Sequence, residues 1–216
     1  MNELLQQISE ELQRGKAKVV VSLVQQALEA GVDAQTILEQ GLLAGMDVIG
    51  TRFSAGEIYV PEVLIAARAM NQGSTVLKPH LQEQGTRSPG KAVIGTVHGD
   101  LHDIGKNLVK MMLEGKGIEV IDLGVDVTAA QYVAAVKEHD AQLVCCSALL
   151  TTTMGEMRSV VEAFQSEGLR DKVTIMIGGA PVTQAYCDEI GADVYTPDAG
   201  SAAVAAKNAL MQRHAS

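Results

Sequence analysis

From Lys91 onward, five short apolar runs alternate with helix-patterned segments, and this rhythm constrains the fold more than any other feature of the chain. The runs cover 92–97, 118–123, 143–148, 173–177 and 194–196; the helical segments cover about 104–115, 128–139, 153–168, 183–190 and 200–213. Strand–helix units of this length predict a parallel sheet with right-handed crossovers and helices on both faces. The expected strand order is the flavodoxin-like (Rossmann-like) 2-1-3-4-5, whose switch point lies between strands 1 and 3. Ligands bind outside the carboxyl ends of the strands at such a point.

Residues 1 to about 81 follow a different pattern, with no convincing strand. Leu4, Leu5, Ile8 and Leu12 recur at helical spacing, as do Val19, Val20, Leu23, Val24 and Leu28, and Gly31 stands where a helix would stop. Asp33 is placed to cap a third helix carrying Ile37, Leu38, Leu42, Met46 and Ile49. Pro61 opens a fourth with Val63, Leu64, Ala67, Met70 and Leu77. Four helices with short turns read as a small bundle. The polar, Gly- and Pro-containing stretch 82–90 reads as a linker, which gives a helical domain over 1–88 and an α/β domain over 89–216.

A net charge of −9 argues against a general nucleic-acid or membrane-surface binder, both of which need basic patches. The N-terminus has no basic, apolar-cored leader, and no apolar run approaches the roughly 20 residues of a spanning helix, so a cytoplasmic protein is expected. Cys145, Cys146 and Cys187 form neither a C-x-x-C pair nor a disulfide framework and read as buried small apolar residues. Aromatic residues are 3% of the chain with no Trp, which removes stacking platforms for single-stranded nucleic acid.

Chemistry concentrates at the end of the first strand, in Gly95-Thr96-Val97-His98-Gly99-Asp100-Leu101-His102-Asp103-Ile104-Gly105-Lys106-Asn107. An Asp two residues before a His can accept the ring Nδ1–H and leave Nε2 for a metal. Alternative uses are a turn carboxylate for Asp100 and a loop or capping histidine for His102, with Asp103 the better helix cap. Ser147-Ala148-Leu149 and Gly178-Gly179 end the third and fourth strands. Lys106 and Asn107 either meet a ligand or form a solvated helix face. The H-x-D-x-H run of His98, Asp100 and His102 also makes a mononuclear metal site conceivable, although no third ligand is evident.

D-x-H-x-x-G at 100–105, S-x-L at 147–149 and G-G at 178–179 together resemble the cobalamin-binding signature. The chain, from about 3 to about 212, is similar to the cobalamin module of methionine synthase and more closely to the small corrinoid proteins of methylamine, methanol and betaine methyltransferase systems. The resemblance implies that His102 is the lower axial ligand of cobalt in place of the displaced nucleotide base, that Asp100 orients it, and that Thr153, standing where the methionine synthase pattern has another hydroxyl residue, completes a proton relay. It implies cofactor contacts from Gly99, Leu101, Asp103 and Gly105 on the first loop, and from Ser147, Leu149, Thr151, Gly178, Gly179 and Ala199 around the nucleotide tail. It makes the bundle a cap over the corrin with Phe53 and Val60 above cobalt, and places Gln40 where methionine synthase has a Glu; the alternative for Phe53 and Val60 is plain bundle core.

The implied function is that of a corrinoid methyl carrier cycling between methylcob(III)alamin and cob(I)alamin, in one-carbon metabolism of the methanogenic or acetogenic kind. Its implied partners are a substrate:corrinoid methyltransferase, a second methyltransferase serving tetrahydrofolate or a thiol coenzyme, and an ATP-dependent reductive activator. A chain of 216 residues has no room for a second catalytic domain, so it is expected to be a non-autonomous subunit. The alternatives are an adenosylcobalamin sensor, the cobalamin subunit of a radical mutase, and a flavodoxin-like scaffold without cobalamin.

Overall fold

The structure, a computed structural model, describes residues 2–83 and 88–214; the centre of the expected linker, 84–87, lies outside the described residues. The chain divides into two compact units, Met1–Arg87 with Gly115–Gly117, and Ser88–Glu114 with Ile118–Ser216.

In the first unit, α1 (Asn2–Gln13) buries Leu5, Ile8 and Leu12, and α2 (Ala17–Glu29) buries Val20, Leu23, Val24 and Ala27. Asp33 caps the next helix by accepting the Thr36 N–H at 3.0 Å. That helix runs as α3 (Ala34–Thr36), a π-helical segment (Ile37–Leu43) and α4 (Ala44–Ser54). The wider π turns keep Ile37, Leu42, Met46 and Ile49 on the buried side. Gly45 lets α1 come close, since a Cβ there would lie 3.1 Å from the Ser9 carbonyl oxygen. The fourth helical segment, α5 (Val60–Glu83), has Pro61 in its first turn. Two residues depart from the expected apolar faces: Val19 is 41% and Leu64 43% exposed. Each adjoins a wholly buried valine, Val20 or Val63, and one residue turns a helix by about 100°, off the buried stripe.

The second unit is the expected doubly wound sheet. Its strands β1 (Lys91–Thr96), β2 (Glu119–Asp122), β3 (Leu143–Ser147), β4 (Thr174–Gly178) and β5 (Val194–Tyr195) lie all parallel in the order β2-β1-β3-β4-β5. The helices are α6 (Ile104–Glu114), α7 (Ala129–His139), α8 (Gly155–Ser166), α9 (Gln184–Ile190) and α10 (Ala199–His214). Period-2 alternation assigns the faces. Val93, Val144, Cys146, Ile175 and Ile177 pack with Val133, Phe164 and Cys187 from α7, α8 and α9. Ala92, Ile94, Leu143, Cys145 and Met176 pack with Leu113 of α6 and Leu210 of α10. All three cysteines are free and buried, as their surroundings suggested, and burial pushes the Cys145 thiol up to about 12. Among the described residues no helix is long and apolar enough to cross a membrane.

Candidate functional site

Sheet register assembles the site. Thr96 at the end of β1 pairs with Ser147 at the end of β3, and Ser147 pairs with Gly178 at the end of β4. Segments far apart in the chain therefore meet along one row, at the switch between β1 and β3.

The loop after β1 turns at Gly99, whose φ of 78° falls where a side chain is strained. Beyond it Asp100 is wholly buried. Its Oδ1 accepts the backbone N–H of His102 at 3.1 Å and meets ring Nδ1 at 2.7 Å. Its Oδ2 accepts the N–H groups of Leu149 at 2.8 Å and Leu150 at 3.2 Å, and the Thr153 hydroxyl at 2.8 Å. Burial pushes this carboxyl's pKa up, but hydrogen bonds from His102, Leu149 and Thr153 outweigh it and hold the group well below the usual carboxylate range. Asp100 is therefore ionised, and an ionised acceptor puts the neutral ring's proton on Nδ1. His102 Nε2 then carries a lone pair, on a side chain 50% exposed. Buried Thr96 fixes the loop from below by donating its hydroxyl to the His102 carbonyl at 2.7 Å.

The glycines separate into two kinds. A Cβ on Gly179 would lie 1.9 Å from the Ala148 carbonyl oxygen, and φ there is 135°, so this glycine serves a backbone-to-backbone approach within the sheet. The missing side chain at 179 thus serves the sheet itself, and the open space at the Gly178-Gly179 pair lies at Gly178. Gly105 has nothing within 4 Å of its Cβ position, and Gly178 only the Thr196 carbonyl oxygen at 3.7 Å. Both leave room at the site edge.

Ser147 is half-buried and Thr151 exposed, and neither hydroxyl has a hydrogen-bond partner among the described residues. Leu101 and Ile104 are 72% and 78% exposed, and Leu149 and Leu150 are exposed beside them in the β1 and β3 loops. Asp103 precedes the first residue of α6 and accepts the Asn107 side-chain amide at 3.0 Å. Ala199, the first residue of α10, is buried. In the helical unit Phe53 and Val60 are half-buried, outside its fully buried core, and Gln40 lies exposed in the π segment.

Two expectations fail. Lys106 is neither on a solvated face nor free for a ligand: it is buried, with Nζ 2.5 Å from Asp122 Oδ1, and Lys110 holds Oδ2 at 3.2 Å. The H-x-D-x-H run does not converge as a metal site, since His98 Nδ1 pairs with Asp126 Oδ1 at 2.7 Å. Among the described residues no group of three His, Cys, Asp or Glu could hold a metal ion. Sequence reasoning also passed over Thr96, Asp122 and Asp126. The only local signal was that Asp122 lies at the end of the second apolar run and Asp126 just beyond it.

Fold and residue pattern define the class: an α/β cobalamin-binding module that follows a helical bundle. Residues 90–207 match the B12-binding family, described as a B12 binding domain, and residues 4–78 match a second family of the same description. The chain is 43% identical to the dimethylamine corrinoid protein of Methanosarcina barkeri, over 96% of this chain and 98% of that protein. It is 45% identical to the trimethylamine corrinoid protein of the same organism, over 86% of each. The methanol:cobalamin methyltransferase complex MtaBC from Methanosarcina barkeri contains a chain similar in structure, with a TM-score of 0.85 at 32% identity, covering 97% of this chain and 80% of that one. The chain belongs to the B12-binding corrinoid proteins.

The residues present fit such a group. Open space at Gly105 and Gly178, unpartnered hydroxyls at Ser147 and Thr151, and exposed apolar side chains around an oriented imidazole are what a large, amide-fringed macrocycle with a polar tail requires.

Proposed function

We propose that the chain is a methyl carrier: it holds a cobamide through His102, takes a methyl group from a separate substrate:corrinoid methyltransferase, and yields it to a second methyltransferase that serves tetrahydrofolate or a thiol coenzyme. The contact of His102 Nδ1 with the buried Asp100 carboxylate at 2.7 Å, which favours the Nδ1–H tautomer, is the observation that carries this reading. When bound, the cofactor's cobalt supplies a bond to carbon that can be made and broken reversibly.

The chain's own residues supply orientation and proton control. Ionised Asp100 raises the donor strength of Nε2 by accepting from Nδ1. When Nε2 is not ligating, the same carboxylate still holds the ring through Nδ1. Thr153 donates to the other carboxylate oxygen and keeps the charge in place. Ser147 and Thr151 offer hydroxyls to the nucleotide tail, with Gly178 giving it room. Gly99, Leu101, Asp103 and Gly105 contact the macrocycle, while Leu149, Gly179 and Ala199 line the tail.

The domains are proposed as 1–88 and 89–216. The helical domain is proposed as a lid, with Phe53 and Val60 over the methyl group, that excludes water and oxidants and moves to admit each partner. An ATP-dependent reductive activator restores the reduced cofactor after adventitious oxidation. The 43% and 45% identical relatives are named for dimethylamine and trimethylamine, so a methylated amine is the donor class proposed first.

Cobalamin titration of wild type and His102→Ala, followed by visible absorption and EPR of the Co(II) form, tests the reading. Histidine-nitrogen superhyperfine coupling in the wild type and its loss in the variant are expected. Wild type that binds cobalamin without that coupling overturns the ligand assignment.

A further inference from the structure

The second histidine of the run, His98, plays no part in the site described above, yet it repeats the geometry of His102. Its Nδ1 lies 2.7 Å from a carboxylate oxygen, Oδ1 of Asp126, and its side chain is half-exposed. That same Oδ1 accepts the backbone N–H of Gly99 at 2.7 Å. The main chain of Asp126 adds a third tie, its N–H donating to the Asp100 carbonyl at 3.1 Å. Asp126 thus holds the three consecutive residues that lead into the Asp100–His102 pair.

Its backbone is costly for this purpose. Asp126 has φ 57°, in the left-handed region that residues with a Cβ rarely occupy, though Asp and Asn tolerate it better than most. The next residue, Val127, is bridged to Val97 and donates its N–H to the Thr96 carbonyl at 2.9 Å, so the β2–α7 loop is laid directly along the end of β1. The Gly99 N–H and then His98 lower the carboxyl of Asp126 below its ordinary range, so it is an ionised acceptor for both donors.

We infer that Asp126 is a positioning residue for His102: by fixing Gly99 in its left-handed turn and the Asp100 carbonyl in place, it sets the direction in which the Asp100 carboxylate meets the ring. His98 is the orienting partner of Asp126, using Nδ1–H to aim the carboxylate at the Gly99 amide. The consequence for cobalt rests on the proposed ligation by His102; the consequence for the loop and for the His102 ring does not.

The test uses substitutions that separate backbone strain from hydrogen bonding. Asp126→Gly removes the acceptor while keeping left-handed φ accessible; Asp126→Asn keeps both an acceptor oxygen and tolerance of that φ. The first readout is the full chain without cofactor, by amide hydrogen exchange at Gly99 and 15N spectra of the His102 ring. Asp126→Gly is expected to speed Gly99 exchange by about tenfold, the equilibrium factor of one charge-assisted hydrogen bond, and to lower the share of the Nδ1–H tautomer at His102 relative to wild type. Asp126→Asn is expected to restore most of both.

The second readout is Co(II) EPR of the cobalamin-loaded proteins, where Asp126→Gly should lose nitrogen coupling that Asp126→Asn retains. An unchanged His102 ring spectrum in Asp126→Gly overturns the positioning role. Absent nitrogen coupling in wild type sinks only the ligand assignment, and the ring spectrum then decides the role of Asp126 alone.

Discussion

Two histidines on the loop after β1 each meet an aspartate at the same 2.7 Å Nδ1-to-carboxylate distance, and the two pairs are built for opposite degrees of commitment. On the β3 side, Asp100 is wholly buried and takes donors from His102, Leu149, Leu150 and Thr153 on both oxygens. On the β2 side, Asp126 is half-exposed and takes Gly99 and His98 on one oxygen. Water screens the second pair and leaves its energy small; the first is removed from water and depends on complete satisfaction of the carboxylate. Identical local geometry therefore says little about strength. Burial and the number of donors decide which pair can hold an imidazole in one tautomer through a reaction cycle.

The largest expected contrast is in Asp100→Ala, which strands the backbone N–H groups of His102, Leu149 and Leu150 and leaves the Thr153 hydroxyl only the Leu150 carbonyl at 3.0 Å. Unfolding by urea should show a loss of about 3 kcal/mol or more, from several unsatisfied donors at roughly 1–3 kcal/mol each. A loss too small to measure would mean that the buried pair is no stronger than the exposed one.

Acid should separate the pairs next. The Asp100 carboxyl is lowered from an ordinary value of 3.8, so its contribution is full above that value and is lost as pH falls towards its depressed native pKa. Stability of the wild type should fall more steeply below about pH 4 than that of Asp100→Asn, because the unfolded state binds the proton first. The shift at Asp126 has the same sign, but a screened carboxylate should make the Asp126→Asn curve nearly superimpose on wild type.

A smaller effect is expected from Thr153→Val, which keeps shape and deletes one donor to Asp100 Oδ2: about 1 kcal/mol in urea, with Thr153→Ser close to wild type. Smallest of all, His98→Ala should leave the urea midpoint unchanged. A large shift there would show that the exposed pair carries structural weight.

The sheet was legible because its signals are local: apolar runs of strand length, helical spacing between them and turn glycines after them. All five strands and their order follow from that rhythm, and so does the meeting of Asp100 with His102, which needs only two residues of separation. Thr153 donates to the same carboxylate from a segment brought in by strand register.

What stayed hidden depends on side chains from distant segments facing one another. Lys106 looked like a solvated helix residue until α6 was laid against the end of β2, where Asp122 waits. Gly179 looked like half of an opening, and only the register of β3 on β4 brings the Ala148 carbonyl into its Cβ position. Asp126 carries no motif at all; its place comes from the parallel bridge between Val97 and Val127. Val19 and Leu64 show the limit of helical spacing, which cannot separate the edge of a buried stripe from its centre.

The hydroxyl of Thr96 on the His102 carbonyl has a kinetic consequence. It ties the main chain of His102, the residue proposed above to hold cobalt, to the innermost layer of the sheet, which relaxes only with the domain itself. The ring, by contrast, turns about two side-chain bonds, which interconvert in picoseconds to nanoseconds where they are exposed. Reorientation of the His102 ring is thereby separated in time from loop rearrangement, which runs on the microsecond scale or slower, and the ring need not wait for the backbone to move.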